Sequence, residues 1–318
     1  MLKNLSNYIM HVLITGGSGF IGKELIKELL KKDFQITATV HKTSLANSLQ
    51  IDDKKNIKFI QCDLSNEVQV KSIFEKNKFD GIFHLAGQTF RKDNPNAQIY
   101  FQSNLMTTLN LLEACRNFKV SKFILSSSIA IYGLSPGQNT PEYVPVDEKH
   151  KNSPYDFYDL SKHFAEKLCS YYSKRFNVNS SVLRYSRVFG PLMGKGLFDI
   201  VTKNSLLNKP IQINGDVSTD FVYVDDVVQA NILSFEKANG FNIFNVGSGE
   251  EITLLEIANE IVKLTNSSSK INFHDEPKSR FSLDISKAKR ELGYLPTSVK
   301  ISLIEVVNHI KDNYHESE

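Results

Sequence analysis

Near its start this chain runs from an apolar strand through a turn of small residues into a helix. The strand is Val12-Leu13-Ile14. The turn is Thr15-Gly16-Gly17-Ser18-Gly19-Phe20-Ile21-Gly22, and the helix is predicted over Phe20–Lys32. Both Gly16-x-x-Gly19-x-x-Gly22 and Gly17-x-Gly19-x-x-Gly22 are present. In this context glycines allow a tight turn, close packing of helix on strand, and close approach of backbone to a pyrophosphate. The helix N-terminus adds unpaired N–H groups and a partial positive charge. Gly16, Gly19, Phe20, Ile21 and Gly22 are therefore candidate dinucleotide-binding residues.

The pattern downstream extends that unit. Strands are predicted at His11–Thr15, Gln35–Val40, Ile57–Gln61, Gly81–Leu85, Lys122–Ser126 and Ser180–Tyr185. Helices are predicted at Phe20–Lys32, Val68–Lys76, Gln98–Phe118 and Tyr155–Phe176. Such alternation gives an α/β fold, a Rossmann-like doubly wound parallel sheet covered by helices on both faces. Phe123-Ile124-Leu125 is apolar without alternation, as a strand covered on both faces should be. After about Tyr185 the rhythm breaks at Pro191, Gly194, Gly196, Pro210 and Gly215. We expect a dinucleotide-binding domain over 1–183 and a smaller, irregular α/β substrate lobe over 184–318. A strand at Phe241–Val246 and a helix at Leu254–Leu264 should return to the main sheet or its edge. The terminal helix is expected at Ile301–Asn313.

Composition excludes several function classes. The formal net charge is +3, and Lys and Arg are spread along the chain, which argues against a nucleic-acid surface. No apolar run approaches the ~18 residues of a membrane span. Cys62, Cys115 and Cys169 lack metal-ligand spacing, so buried free thiols in a reducing cytoplasm are expected and no metal site is. The first ten residues lack the features of a signal peptide and are expected to be a short extension.

The ends of the strands supply further candidates. An acid after the second strand would suit the ribose 2′-hydroxyl of NAD, and a base there the 2′-phosphate of NADP. Here Val40 is followed by His41 and Lys42, with no acid, so the cofactor is NAD or NADP with a lean to NADP. Asp63 and Leu64 follow the third strand, where a carboxylate can accept from an adenine amino group. Leu85, Ala86 and Gly87 follow the fourth, where small residues let backbone approach a cofactor.

A second constellation carries chemistry. Tyr158 and Lys162 are four residues apart on a predicted helix and so share a face. An ammonium beside a phenol stabilises the phenolate and is expected to lower its pKa from about 10. Lys162 can also bond a nicotinamide ribose. Ser128, after the Phe123–Ser126 strand, can hydrogen-bond a reacting oxygen. The set fits hydride transfer at a carbinol carbon with Tyr158 as acid and base. Tyr155 is a decoy, because four residues on stands Asp159.

Taken in order, these motifs resemble an extended short-chain dehydrogenase/reductase of the NAD-dependent epimerase/dehydratase group, which modifies nucleotide sugars. The resemblance covers nearly the whole chain. Besides the glycine turn and Tyr158-x-x-x-Lys162, it rests on His84-Leu85-Ala86-Gly87, Asn104, and Ser126-Ser127-Ser128-Ile-Ala-Ile-Tyr132-Gly133. It continues through Leu183-Arg184-Tyr185-Ser-Arg187-Val-Phe-Gly190-Pro191, Asp220-Phe-Val-Tyr-Val-Asp225-Asp226, Phe244-Asn245-Val246-Gly247-Ser-Gly249 and Asp284-Ile-Ser-Lys287 to Leu292-Gly293-Tyr294-x-Pro296. It implies a nucleoside-diphosphate-sugar substrate, chemistry at sugar C4, and a homodimer built on helices Gln98–Phe118 and Tyr155–Phe176. It also implies Tyr185 at the cofactor, and Thr89, Ser128, Arg187 and Arg280 at the substrate.

The departures narrow the subtype. The 4,6-dehydratases of the group carry Thr-Asp-Glu after the paired serines, where this chain has Ser128-Ile129-Ala130. Ile and Ala cannot shuttle protons, so water loss is not expected. Many sugar epimerases place an Arg before the Asp-Phe-x-x-Val-x-Asp segment, where this chain has Thr219. The usual Asn before Val-x-Gly-Pro is Arg187, so Arg187 and Arg280 are expected to take the phosphates. Two enzyme readings stay open: a 4-epimerase that recycles its cofactor, and an NAD(P)H-dependent 4-ketoreductase. A non-sugar ketoreductase and a non-catalytic dinucleotide sensor are more distant alternatives.

Overall fold

The computed structural model describes residues 8–40, 55–90, 96–133, 141–193, 196–215, 217–274 and 279–314. The strands are β1 His11–Thr15, β2 Gln35–Val40, β3 Ile57–Gln61, β4 Gly81–His84, β5 Lys122–Ser128, β6 Asn179–Tyr185, β7 Arg187–Phe189, β8 Ile211–Asn214, β9 Val217–Thr219, β10 Phe221–Tyr223, β11 Phe241–Val246, β12 Ile252–Thr253, β13 Ile271–His274 and β14 Ser279–Arg280. The helices are α1 Phe20–Lys31, α2 Glu67–Lys76, α3 Ala97–Tyr100, α4 Thr107–Phe118, α5 Phe157–Phe176, α6 Leu197–Leu206, α7 Val224–Lys237, α8 Leu254–Leu264, α9 Ser286–Leu292 and α10 Val299–Asn313. Two compact units result. One comprises Met1–Ile131, Asn152–Arg184 and Val228–Phe244. The other comprises Tyr132–Lys151, Tyr185–Val227 and Asn245–Glu318.

The first unit is built on a seven-stranded sheet of order β11-β6-β5-β4-β1-β2-β3. β1 pairs in parallel with both β2 and β4, and parallel pairing continues from β2 to β3 and from β4 to β5. The order reverses between β1 and β4, so the loops leaving those two strands diverge at one edge. That is where doubly wound sheets place ligands.

Both faces of the sheet are covered. Ile82 and Phe123 pack in a core with Leu111 and Leu112 of α4 and Ala165 and Cys169 of α5. Phe83, the next residue of β4, points to the opposite face. There its ring lies 5.2 Å from Phe235 of α7, which also meets Phe34 at 6.0 Å. Burial on both faces explains why β1 and β4 carry no polar alternation. Cys62, Cys115 and Cys169 are buried free thiols.

Local chemistry shifts several expected boundaries. The Asp156 side chain accepts from the Asp159 N–H and caps α5, so the helix starts at Phe157 rather than Tyr155. The helix expected over Gln98–Phe118 is interrupted. Between α3 and α4 it widens into a π-helical stretch, Phe101–Met106. The Thr107 and Thr108 hydroxyls donate to the Ser103 and Asn104 carbonyls at 2.8 and 2.6 Å and satisfy acceptors there. β5 runs two residues further than expected, to Ser128, and α10 begins two residues earlier, at Val299.

The second unit contains short sheets: β7 with β10, β12-β9-β14, and β8 with β13. Its organising group is the buried carboxylate of Asp220. Oδ1 accepts from the Ser248 N–H at 2.8 Å and its hydroxyl at 3.2 Å. Oδ2 accepts from the Gly249 and Leu283 N–H groups at 2.9 and 3.2 Å. A Cβ at Gly247 would stand 2.6 Å from Oδ1, which accounts for glycine there. No helix among the described residues is long and apolar enough to cross a membrane.

Because both Asp220 oxygens are acceptors, an amide cannot replace the carboxylate without turning N–H groups toward N–H groups. Asp220→Asn should lower unfolding stability by roughly 2–3 kcal/mol, the usual cost of stranding buried donors. Denaturant unfolding tests this, and a loss below about 0.5 kcal/mol would refute the acceptor role.

Candidate active site

At the carboxyl end of β1 the chain turns so tightly that backbone touches backbone. Gly16 has φ +72°, and a Cβ on it would lie 2.9 Å from the Ala86 nitrogen. A Cβ on Gly22 would lie 2.3 Å from the Gly16 carbonyl oxygen, and one on Gly19 3.1 Å from the same atom. Gly19 is also the N-cap of α1 and offers no side chain to the first N–H groups of that helix. A side-chain-free turn with open helix donors fits the pyrophosphate of a dinucleotide.

The loop after β4 lies against this turn. The Thr15 hydroxyl accepts from the Ala86 N–H at 3.1 Å and meets His84 Nδ1 at 2.7 Å. His84 Nε2 lies 3.1 Å from the Thr108 hydroxyl, and burial holds the imidazole down to about 3. His84 is thus a neutral strut between β1, β4 and α4. A Cβ on Gly87 would come within 3.5 Å of Lys162 Nζ, so the loop reaches from the glycine turn to α5.

α5 carries the second constellation. Lys162 is 7% exposed, and its ammonium donates to the Ser126 carbonyl at 2.9 Å. Burial pulls it down to about 8, with Glu166 opposing. Tyr158 is mostly buried, and its ring meets Tyr100 edge-on at 6.2 Å. The Ser128 hydroxyl, at the end of β5, interacts with the phenol and accepts from the Ala130 N–H at 3.1 Å. Burial pushes the phenol up to about 12, against the pull of Ser128. The expected lowering by Lys162 is therefore not what the protein alone provides. Desolvation of the phenolate outweighs the pull of Ser128, Lys162 is not among the groups that shift it, and the phenol is protonated at neutral pH.

The remaining candidates fall in different places. Asp63 is exposed, and its Oδ1 accepts from the Ser65 N–H and hydroxyl at 2.9 and 2.7 Å. Leu64 is buried, its carbonyl held by Asn110 at 2.9 Å. Leu85 is half-buried after β4, and Thr89 is exposed. His41 and Lys42 lie outside the described residues. Tyr185, Arg187 and Arg280 belong to the second unit. Tyr185 ends β6 and is buried; Arg280 lies in β14 beside Ser218 of β9 and is exposed. Arg187 is half-buried at the start of β7, paired with Phe221 of β10. Its guanidinium makes no ion pair or hydrogen bond with another described residue, and burial lowers its pKa.

Sequence reasoning left three residues out of the site. Asn104, in the π-helical stretch, donates to Ser161 Oγ at 2.9 Å and to the Gln88 carbonyl at 3.1 Å, and accepts from the Gln88 N–H at 2.8 Å. It ties the loop after β4 to α5, and a buried polar residue in an apolar helix was its signal. Asp159, beside Tyr158, is fully buried, and burial pushes it up to about 7. Glu166 continues the four-residue spacing of Tyr158 and Lys162, which would have pointed to it. Ile129 is buried and apolar, and Ala130 has no ionisable group, so neither can move a proton after Ser128. Among the described residues no group of His, Cys, Asp and Glu could hold a metal ion.

Residues 12–247 match the model of the NAD dependent epimerase/dehydratase family. The chain belongs to that family. It is therefore an enzyme of the extended short-chain dehydrogenase/reductase type, with the Rossmann-like α/β fold read from its sequence. It is 32% identical to a UDP-glucuronate 4-epimerase of Thermodesulfobacterium geofontis over 95% of this chain and 97% of the relative. A UDP-glucuronic acid 4-epimerase of Bacillus cereus, solved with UDP-glucuronic acid and NAD, superposes with TM-score 0.80 at 31% identity, covering 96% and 100% of the two chains. A UDP-glucose 4-epimerase of Thermotoga maritima, solved with UDP-glucose, superposes with TM-score 0.83 at 27% identity, covering 95% and 99%. The family is NAD-dependent by its description and the Bacillus cereus neighbour was solved with NAD, so the lean to NADP finds no support here.

Proposed function

We propose that this chain is a nucleoside-diphosphate-sugar 4-epimerase that works with NAD. The observation that carries the reading is the meeting of Ser128, Tyr158 and Lys162 beside the glycine turn, followed by a buried Ile129 where water elimination would need an acid or base. That set can move a hydroxyl proton but cannot expel water. The relatives named above, all 4-epimerases, support the same choice.

The glycine turn, Leu85 to Gly87 and Lys162 would hold the dinucleotide, which when bound would supply a hydride acceptor and donor for C4. Tyr158 takes the C4 hydroxyl proton and gives it back on the other side of the reaction. Its neutral phenol is the donating form, and taking the proton requires the phenolate. Ser128 hydrogen-bonds the C4 oxygen and holds it at the phenol. The Lys162 ammonium stabilises the phenolate that takes the proton and that forms again when the proton is returned, and would anchor the ribose. The missing acid after β2 favours a second reading, a 4-ketoreductase, in which Tyr158 donates once and reduced cofactor is consumed.

Cofactor retention separates the two. The purified protein should release stoichiometric NAD on denaturation and should equilibrate a C4 epimer pair with no cofactor added. An empty site with preference for NADPH would establish the reductase instead. Tyr158→Phe should keep NAD and lose roughly 10²-fold or more in turnover. Lys162→Met should lose both. Near-full activity in Tyr158→Phe would remove Tyr158 from the mechanism.

Arg187 we assign to the substrate diphosphate. A half-buried guanidinium without a partner among the described residues is satisfied by an anion, and a forked donor matches phosphate oxygens. Arg187→Ala should raise KM for the nucleotide sugar by roughly 10- to 100-fold, in line with a charge-assisted hydrogen bond. An unchanged KM would return Arg187 to the fold.

We assign a homodimer to the first unit's exposed apolar face. Phe157 is 41% exposed, Phe164 42% and Tyr171 58%, all on α5, and Met106 in the π-helical stretch is 38% exposed. Phe101 meets the rings of Phe157 and Phe164 at 6.5 and 6.3 Å. Light scattering should give twice the 36.0 kDa chain mass, and Phe164→Asp should give the single chain. A single-chain mass for the unaltered protein would refute this interface.

A further inference from the structure

One turn beyond Lys162 on α5, a carboxylate is sealed in the first unit. Glu166 Oε1 accepts from the Ser127 hydroxyl at 2.5 Å and from Arg184 Nε at 3.1 Å. Oε2 accepts from the Arg184 guanidinium at 2.7 Å. The two charged side chains are 2% and 4% exposed. Neither touches the sugar or the dinucleotide in the mechanism above. As a stabiliser such a pair is weak, because desolvation offsets most of the attraction, and a well-packed apolar pair serves a core as well.

The neighbours of the pair suggest a use. Ser127 stands between Ser126, whose carbonyl holds the Lys162 ammonium, and Ser128 at the phenol. Lys162 is faced by His84 of β4 and by the Ser126 carbonyl of β5, and Tyr158 stands one turn before it on the same face of its own helix. His84 and Tyr158 are neutral at neutral pH, and His84 is held so partly by the lysine itself. Arg184 on β6 adds positive charge, spent on Glu166. Glu166 is the negative charge that favours the ammonium.

We infer that Glu166 is a positioning residue of the active site: fixed by Ser127 and Arg184 one helical turn from Lys162, its carboxylate keeps that lysine charged in a buried position. Arg184 holds the Glu166 carboxylate in place through both oxygens, and the Ser127 link ties it to the strand that ends at Ser128. The inference rests on the reading of Lys162 given under the proposed function, since a neutral amine could neither stabilise a phenolate nor donate as strongly to a ribose.

The test follows the lysine itself. In protein labelled with 13C at lysine Cε, the Lys162 resonance is identified by its loss in Lys162→Met and followed against pH. The unaltered protein should titrate near about 8. Glu166→Gln should lower that midpoint by one unit or more, a tenfold loss of proton affinity, and weaken NAD binding at pH 7 but not at pH 5.5. Since Glu166→Gln strands a buried guanidinium, a double variant, Glu166→Gln with Arg184→Met, removes both charges and is expected to fold. Its lysine should also titrate at least one unit low. A midpoint unmoved in a folded variant overturns the proposal. Failure of the double variant to fold also overturns it, by assigning the pair to the fold. Loss of turnover in Tyr158→Phe with an unmoved lysine would sink this inference alone. A shifted lysine with full Tyr158→Phe activity would sink the catalytic reading and leave the charge relay standing.

Discussion

A methyl group on Gly22 would stand 2.3 Å from the carbonyl oxygen of Gly16, and one on Gly16 would stand 2.9 Å from the backbone of Ala86. These are distances at which no side chain fits. The first contact lets α1 start directly over the end of β1, with its N–H groups pointing at the turn. The second lets the loop after β4 lie flat against the same turn. Parallel pairing of β1 with β2 on one side and β4 on the other then fixes where that cleft opens. The remaining site elements of the first unit take their positions from this cleft. Gly87 meets Lys162, Lys162 meets Ser126, and Ser128 meets Tyr158.

α5 converts that placement into chemistry through its period. Residues four apart share a face, so Tyr158, Lys162 and Glu166 rise in one column. The Asp156 cap fixes where the column begins. The column is pinned from the side by Asn104, which reaches Ser161 and the Gln88 backbone together. A regular α-helix there would present a different set of side chains. Widening to a π-helical turn admits Asn104 to the cleft, and such bulges are frequent at functional sites.

Much of this was legible in the residues. The sheet strands and α1 follow from apolar runs bounded by turn chemistry, and the site from glycine spacing and Tyr158-x-x-x-Lys162. What escaped was set by local capping, by a local widening of the helix and by burial. The start of α5 turned on which of Tyr155 and Asp156 lay outside the helix, and the Asp156 cap decided it. The π-helical stretch has no period that a helical pattern can distinguish over six residues. Most instructive is Tyr158. Spacing put an ammonium beside it and so implied a lowered pKa. Spacing carries no information on how much water the fold removes, and desolvation reversed the sign.

That reversal defines what the protein must supply. Burial drives both partners toward neutrality, the phenol up to about 12 and the lysine down to about 8. A phenolate becomes accessible only as positive charge gathers beside it, and Lys162 provides that charge only while protonated. At a midpoint of about 8 the ammonium dominates at neutral pH, but by about tenfold and no more. At the roughly 6 Å that separates the Cβ atoms of residues four apart on a helix, and at an effective dielectric of about 20, opposite charges attract by about 3 kcal/mol before Arg184 offsets part of it. That is about two pKa units, larger than the margin by which Lys162 remains charged. A site that buries its lysine this deeply therefore depends on a counter-charge that is itself buried and held, which is the arrangement Glu166, Arg184 and Ser127 form.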